Sequence, residues 1–296
     1  MIHRILVVGR NGQLAQELAR ATPPPGWSVE FVGRQGLDLS DPEGAAQAVR
    51  DFSPSAVINA AGYTAVDKAE SEPELAMTVN AEAPAAMAAA AKAAGALFVQ
   101  TSTDYVFGGT QPEGYREDDP VAPQSIYARS KEAGEAGVRA ATDDHLIVRT
   151  SWLFGLRGDN FVKTMLRLGA ERDELRIVDD QHGRPTSAED LAGAVIEMLR
   201  QSLAGSGERG TFHFANAGPT TWRRFAEAIF ARAAARGAKT PRVVPVTTAD
   251  YGAPAARPLW SVLQCERIEQ AFGIVPGSWE PALDATVEGL LASTQS

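Results

Sequence analysis

Tyr127 and Lys131 stand four residues apart in Ser125-Ile126-Tyr127-Ala128-Arg129-Ser130-Lys131, and Thr103 precedes them in a segment that reads as a strand running into a loop. On a helix, a spacing of four puts two side chains on one face, one turn apart, so an ammonium can sit beside a phenol. A free tyrosine titrates near about 10, and a neighbouring cation is expected to bring it lower. Such a phenol is a general acid, and a threonine hydroxyl beside it can hold a carbonyl oxygen in line. The three residues together point to carbonyl reduction. A bare Y-x-x-x-K also occurs on ordinary surface helices, so its meaning rests on the elements around it.

Those elements begin at Ile5-Leu6-Val7-Val8, a short buried strand running into Gly9-Arg10-Asn11-Gly12-Gln13-Leu14-Ala15 and then a helical stretch. Strand, glycine loop and helix in that order suit a dinucleotide. Gly9 permits the tight turn, Gly12 lets backbone N–H groups approach a pyrophosphate, and Ala15 is small enough for close helix packing. Further apolar runs at 28–33, 56–60, 97–101 and 146–150 alternate with helical segments, the clearest of them Pro73 to Ala94. That rhythm predicts an α/β fold of Rossmann type, a doubly wound parallel sheet with crossover helices. In such sheets ligands bind beyond the carboxyl ends of the strands. Asn59-Ala60-Ala61-Gly62-Tyr63-Thr64 and Thr101-Ser102-Thr103-Asp104-Tyr105 are therefore where cofactor and substrate are expected to meet. A carboxylate ending the second strand would favour NAD. Gly33-Arg34 stands there instead, and an arginine accommodates a 2′-phosphate, so NADPH is the expected cofactor, with NADH as a second choice.

The composition bounds the function classes. The chain has 296 residues, a net charge of -9, one cysteine (Cys265) and four scattered histidines. An acidic surface without basic runs argues against nucleic acid as a partner. One cysteine excludes an internal disulfide framework, and the histidine spacing fits no metal site. No run reaches the length of a membrane span, and Met1-Ile2-His3-Arg4 leads into a strand rather than an apolar leader, so a cytoplasmic location is expected.

Together these stretches resemble the extended short-chain dehydrogenases, and within them the dTDP-4-dehydrorhamnose reductases. The likeness is carried by Gly9 to Leu14, Asn59 to Glu70, Ser102 to Phe107, Tyr127 to Lys131, Arg149 to Trp152, Asn160 to Leu166, Gln181 to Thr186 and Arg257 to Leu263, in family order from end to end. Ala15, Gly108 and Ala128 depart from the usual residues without removing a group of proposed chemistry. The resemblance implies Thr103, Tyr127 and Lys131 as catalytic residues. It implies a cofactor cleft of Gly9, Asn11, Gly12, Gln13, Leu14, Arg34, Asp38, Leu39, Gly62, Tyr63, Thr64 and Thr101, with Tyr127 and Lys131 also facing the cofactor. Asp104 and Trp152 would contact a deoxyketosugar, and Arg257 is a candidate for its diphosphate, with a structural salt bridge as the alternative. The implied reaction is reduction of the C4 ketone of a nucleotide-linked 4-keto-6-deoxyhexose. An epimerase or dehydratase shares the triad, and a non-catalytic NADP-binding regulatory subunit shares the cofactor loop. Some family members are dimers bridged by magnesium, for which Glu17, Glu189 and Glu288 sit in matching surroundings, with solvated helix carboxylates as the alternative. The expected organisation is a dinucleotide-binding domain over 1–150 and a mainly substrate-binding domain over 151–296, some of whose segments rejoin the sheet.

Overall fold

The computed structural model describes residues 2–294. Strands β1 (His3–Val8), β2 (Trp27–Val32), β3 (Ala56–Asn59), β4 (Leu97–Thr103) and β5 (His145–Thr150) are joined in one sheet by a sixth, Gly210–His213. In space they run Gly210–His213, β5, β4, β3, β1, β2, and every neighbouring pair is parallel. Parallel neighbours need crossovers of a dozen or more residues, which the helices supply. The chain leaves β1 toward β2 and returns past it to β3, so the order reverses between β1 and β3. A crevice opens at that reversal, beyond the strand ends.

Successive strand residues face opposite sides of the sheet. Ile5, Val7, Ile58, Val99 and Val148 enter one core with Leu14 and Leu18 of helix Gln13–Arg20 and with Leu191, Val195 and Leu199 of helix Ala188–Leu203. Leu6, Val8, Val57, Phe98 and Ile147 enter the other, with Ala46 and Val49 of helix Pro42–Phe52 and the small residues of helix Ala83–Ala93. With both faces covered, the strands are continuous apolar runs. A third core joins Phe154, Val162, Phe225, Ile229, Trp279 and Leu283 across helices Phe161–Glu171, Trp222–Ala235 and Trp279–Thr294. Its members all follow residue 150. Helix Ala188–Leu203 and strand Gly210–His213 come from that half of the chain but pack on the main sheet. Among the described residues no helix is long and apolar enough to cross a membrane.

The helix expected over Pro73 to Ala94 is interrupted. It runs as Pro73–Met77, a π turn at Thr78–Glu82, and Ala83–Ala93. Pro84 has no N–H for the carbonyl of Asn80, four residues earlier, and its ring would crowd that carbonyl. The chain answers by widening, and the Ala83 amide bonds back to the Thr78 carbonyl, five residues away.

Candidate active site

Gly9 ends β1 with φ +120°, and a Cβ there would lie 3.2 Å from the Ala60 carbonyl carbon. Only glycine suits both the turn and the closeness. Gly12 caps helix Gln13–Arg20 with no side-chain partner, which leaves the helix's first N–H groups to face an anion. From this loop a hollow of about 400 Å³ runs along Gly33, Arg34, Asp38 and Leu39 beyond β2. A cleft of about 640 Å³ continues the other way, past Gln13, Leu14, Gly62 and Thr64 to Thr101, Thr103, Tyr127, Lys131 and Trp152. The two share Asn11, Gly12, Ala60, Ala61, Gly62 and Thr64 and so form one groove. Its length, its glycine floor and its open helix terminus fit an extended dinucleotide. The buried Gln13 Oε1, which has no hydrogen-bond partner, adds a free acceptor in the same wall.

The reactive wall stands at the ends of β4 and of helix Ile126–Ala141. Ser125 starts that helix by accepting from the Ala128 amide at 3.2 Å, and the Ile126 amide donates to Glu70 at 2.8 Å. So capped, the helix turns Tyr127 and Lys131 into the cleft. The Thr103 hydroxyl lies beside the Tyr127 phenol, and Tyr105 packs edge-on against its ring at 6.0 Å. Burial pushes the phenol up to about 12, and the nearby Asp104 carboxyl adds to this while Thr103 opposes it. The cation effect expected of Lys131 is absent because the ammonium donates instead to the Thr101 carbonyl at 2.6 Å. Burial also pushes Lys131 down to about 8, with Glu135 resisting. In the ligand-free chain at neutral pH the phenol is therefore a protonated donor and the lysine is mostly charged.

Asn80, in the π turn, holds the wall together. Its Oδ1 accepts from the Tyr63 amide at 2.8 Å, and its Nδ2 donates to the Tyr63 carbonyl at 3.0 Å and to Ser130 at 2.9 Å. One side chain thus ties the Gly62–Thr64 loop to the helix of Tyr127 and Lys131. A Cβ on Gly134 would collide with the Asn80 backbone carbonyl, so a glycine is needed for the π turn and the helix to meet. Opposite, Trp152 has φ +45° and stacks on Trp222 at 3.7 Å between centroids. A Cβ on Gly183 would run into the Trp152 indole, so the ring lies directly over backbone.

Residues 3–291 match the family described as RmlD substrate binding domain. A dTDP-4-dehydrorhamnose reductase of Burkholderia thailandensis is 44% identical over 98% of this chain and 99% of its own. The chain belongs to the dTDP-4-dehydrorhamnose reductase family. The Escherichia coli K12 dTDP-4-dehydrorhamnose reductase is 40% identical, covering 98% of this chain and 99% of its own. A crystal structure of a Bacillus anthracis dTDP-4-dehydrorhamnose reductase in complex with NADP superposes with a TM-score of 0.89 at 39% identity, covering 98% of this chain and 100% of that one.

Within this family frame the structure sorts the expected site residues. Thr103, Tyr127, Lys131, Thr101, Trp152 and the glycine-loop residues line one groove, with Arg34, Asp38 and Leu39 at its far end. Tyr63 does not line it: its ring packs on the second core and its hydroxyl donates to Glu72 at 2.7 Å. The backbone of that segment faces the groove instead. Asp104 lies behind Thr103 at 2% exposure rather than in the cleft wall. Arg257 pairs its fork with both oxygens of Asp67 at 3.0 and 2.9 Å, and it also borders a cavity that Arg172, Arg176 and Gln181 line. Of the glutamates named for a bridging magnesium, Glu17 pairs with Arg20 and Arg157 and Glu288 pairs with Arg236, and within the single chain no group of three metal-ligating side chains occurs among the described residues. Sequence reading missed Asn80 and Trp222. Asn80 had a faint signal, a polar residue four before a proline inside an alanine-rich helix. Trp222 had none, because only the fold brings it onto Trp152.

Proposed function

We propose that this protein reduces the C4 ketone of dTDP-4-dehydro-L-rhamnose to dTDP-L-rhamnose with NADPH, in nucleotide-sugar biosynthesis for surface polysaccharide. The observation that carries the reading is the placement of Thr103, Tyr127 and Lys131 on one wall of the groove that begins at the glycine loop. The reduced nicotinamide supplies the hydride when bound. Gly9, Gly12 and the open terminus of helix Gln13–Arg20 would hold its pyrophosphate, and Arg34, beyond β2, would meet the 2′-phosphate, which supports NADPH over NADH. Thr103 holds the ketone oxygen in line, and Tyr127 Oη delivers its proton to the alkoxide that forms there. Lys131, a cation on the same wall, would hold the nicotinamide ribose. Trp152, backed by Trp222, offers a flat apolar surface to the deoxysugar and its methyl group.

Beyond the tryptophan pair, Trp222 also lines a cavity of about 640 Å³ with Arg172, Arg176 and Gln181, suited to the nucleotide diphosphate. The same reading divides the labour, with residues 1–150 holding the cofactor and the later ones mainly the sugar nucleotide. It includes a homodimer, which light scattering checks. The test of function is a panel of dTDP- and UDP-linked 4-keto-6-deoxyhexoses, following loss of reduced nicotinamide. Turnover with the dTDP-linked ketone, reduced roughly 100-fold or more in Tyr127→Phe with NADPH affinity kept, is expected. Turnover of the variant within threefold of the parent would remove Tyr127 from the mechanism. Protein purified with stoichiometric nicotinamide and no net reduction would point to an epimerase instead.

A further inference from the structure

Past Tyr127 and Lys131, helix Ile126–Ala141 carries Glu135 one turn farther along and Arg139 one turn beyond that, all on one face. Glu135 is wholly buried and Lys131 nearly so. Arg149, on β5 and 3% exposed, grips both oxygens of Glu135, Nε to Oε1 at 2.8 Å and Nη2 to Oε2 at 2.7 Å. Arg139 adds a third bond to Oε2 at 3.1 Å from the protein's edge. Ser102, opposite Arg149 in the β4–β5 register, puts its hydroxyl beside the same carboxylate.

The buried charges here are therefore Lys131, Glu135 and Arg149, a cation on each side of one anion. Were Glu135 neutral, two enclosed cations would stand on neighbouring elements with no anion between them. A guanidinium does not give up its proton inside a protein, so the lysine would be the group to yield. We propose that Glu135 is a positioning residue that keeps Lys131 charged in the cleft, with Arg149 setting how much of the carboxylate's field the lysine receives. This rests on the reading of Lys131 as a working cation.

Other groups facing the pair do not substitute for Glu135. Lys131 meets the Thr101 carbonyl from β4, the Gly62 backbone from the loop after β3, and Tyr127 one turn earlier on its own helix, none of them anionic at neutral pH. Behind Arg149 lie His213, pushed down to about 3 by burial and hence neutral, and the Glu117 carbonyl. The Glu117 carboxylate is turned onto the His213 amide at 2.9 Å. Glu132 stands 4.0 Å from Arg139, on its outer side. Among the described residues Glu135 is thus the one anion on the buried side of Lys131.

The experiment follows kcat/KM and NADPH affinity against pH in Glu135→Gln, Arg149→Met and Lys131→Met. Glu135→Gln should move the alkaline limb down by about one pH unit or more, losing roughly tenfold at pH 9 and less than threefold at pH 6. NADPH binding should weaken over the same range. Arg149→Met should move the limb too, upward where Glu135 stays ionised beside Lys131 and Arg139, downward where the buried carboxyl takes up a proton once its guanidinium is gone. A structural role alone would lower activity in both variants evenly across pH, and that pattern overturns the proposal. If Glu135→Gln does not fold, as near-UV circular dichroism would show, the Arg149→Met limb decides: a shift in either direction supports, since both run through the charge of Glu135, and no shift overturns. Lys131→Met separates the two readings. If it turns over normally, the role of Lys131 fails and takes this proposal with it. If it is inactive while Glu135→Gln keeps the parent's alkaline limb, the role of Glu135 fails alone.

Discussion

Asp104 accepts from the Thr103 hydroxyl through Oδ1 at 3.1 Å, and its Oδ2 is enclosed without a hydrogen bond of normal geometry. Burial pushes the carboxyl up to about 7, and the Ser261 and Thr103 hydroxyls beside it offset only part of that. A carboxyl raised in this way binds its proton more tightly in the folded chain. Its contribution to stability is complete below the ordinary value near 3.8 and is lost as pH rises through about 7. At about 1.36 kcal/mol per pH unit, the displacement bounds the loss at about 4 kcal/mol. Asp104→Asn keeps the shape and removes the buried charge. Its melting temperature should therefore gain on the parent's as pH goes from 5 to 8, in scans without ligand. A difference that stays flat with pH would show that Asp104 is solvated. The same residue marks a limit of sequence reading. Its neighbours in Ser102-Thr103-Asp104 were legible as a strand end at the cleft, but which side chain turns outward depended on the short helical turn Asp104–Val106.

The strands and glycine loop were legible because their signals are local: apolar runs of strand length and glycines at fixed offsets. The π turn at Thr78–Glu82 was not, because it arises from a contest between helix propensity and one proline. Alanine on both sides favours helix strongly enough to hide the break. The partner that makes the break useful, Gly134, lies some fifty residues downstream on the helix of Tyr127 and Lys131. Gly134→Ala would place a methyl group on the Asn80 carbonyl, backbone against side chain with no flexible end to yield. The expected loss is about 1–3 kcal/mol of stability. Because Asn80 also holds the Tyr63 backbone, NADPH affinity should fall as well. Gly137→Ala on the same helix crowds the Ala85 Cβ at 2.9 Å, a lesser clash than the one with the Asn80 carbonyl, and serves as the comparison. Equal melting temperatures and equal NADPH affinity for both variants would show that the π turn gives way freely and does not hold the cofactor loop.

At the scale of the whole molecule, the proposed function would place cofactor and sugar nucleotide in neighbouring hollows, with the Trp152–Trp222 stack as the joint between them. Trp152 follows directly from β5 of the main sheet, whereas Trp222 opens the helix Trp222–Ala235 of the third core. No sequence signal pairs them, since seventy residues separate the two and only the third core brings both together. Trp222→Ala removes the backing ring from the sugar-facing wall and leaves every residue of the glycine loop in place. NADPH binds the native chain alone, so at about 100 times its dissociation constant it should stabilise parent and variant alike by about 2.7 kcal/mol. The variant's own stability should drop, because its ring also contacts Phe161 and Phe225 within the third core. Its kcat/KM for the dTDP-linked ketone should fall roughly tenfold or more, as Trp152 loses the surface that fixes its plane. Thermal melts with and without NADPH, run beside the kinetics, separate the effects. A lost NADPH shift would mean that the tryptophan pair shapes the cofactor end too, and an unchanged kcat/KM would mean that Trp152 keeps its place without Trp222.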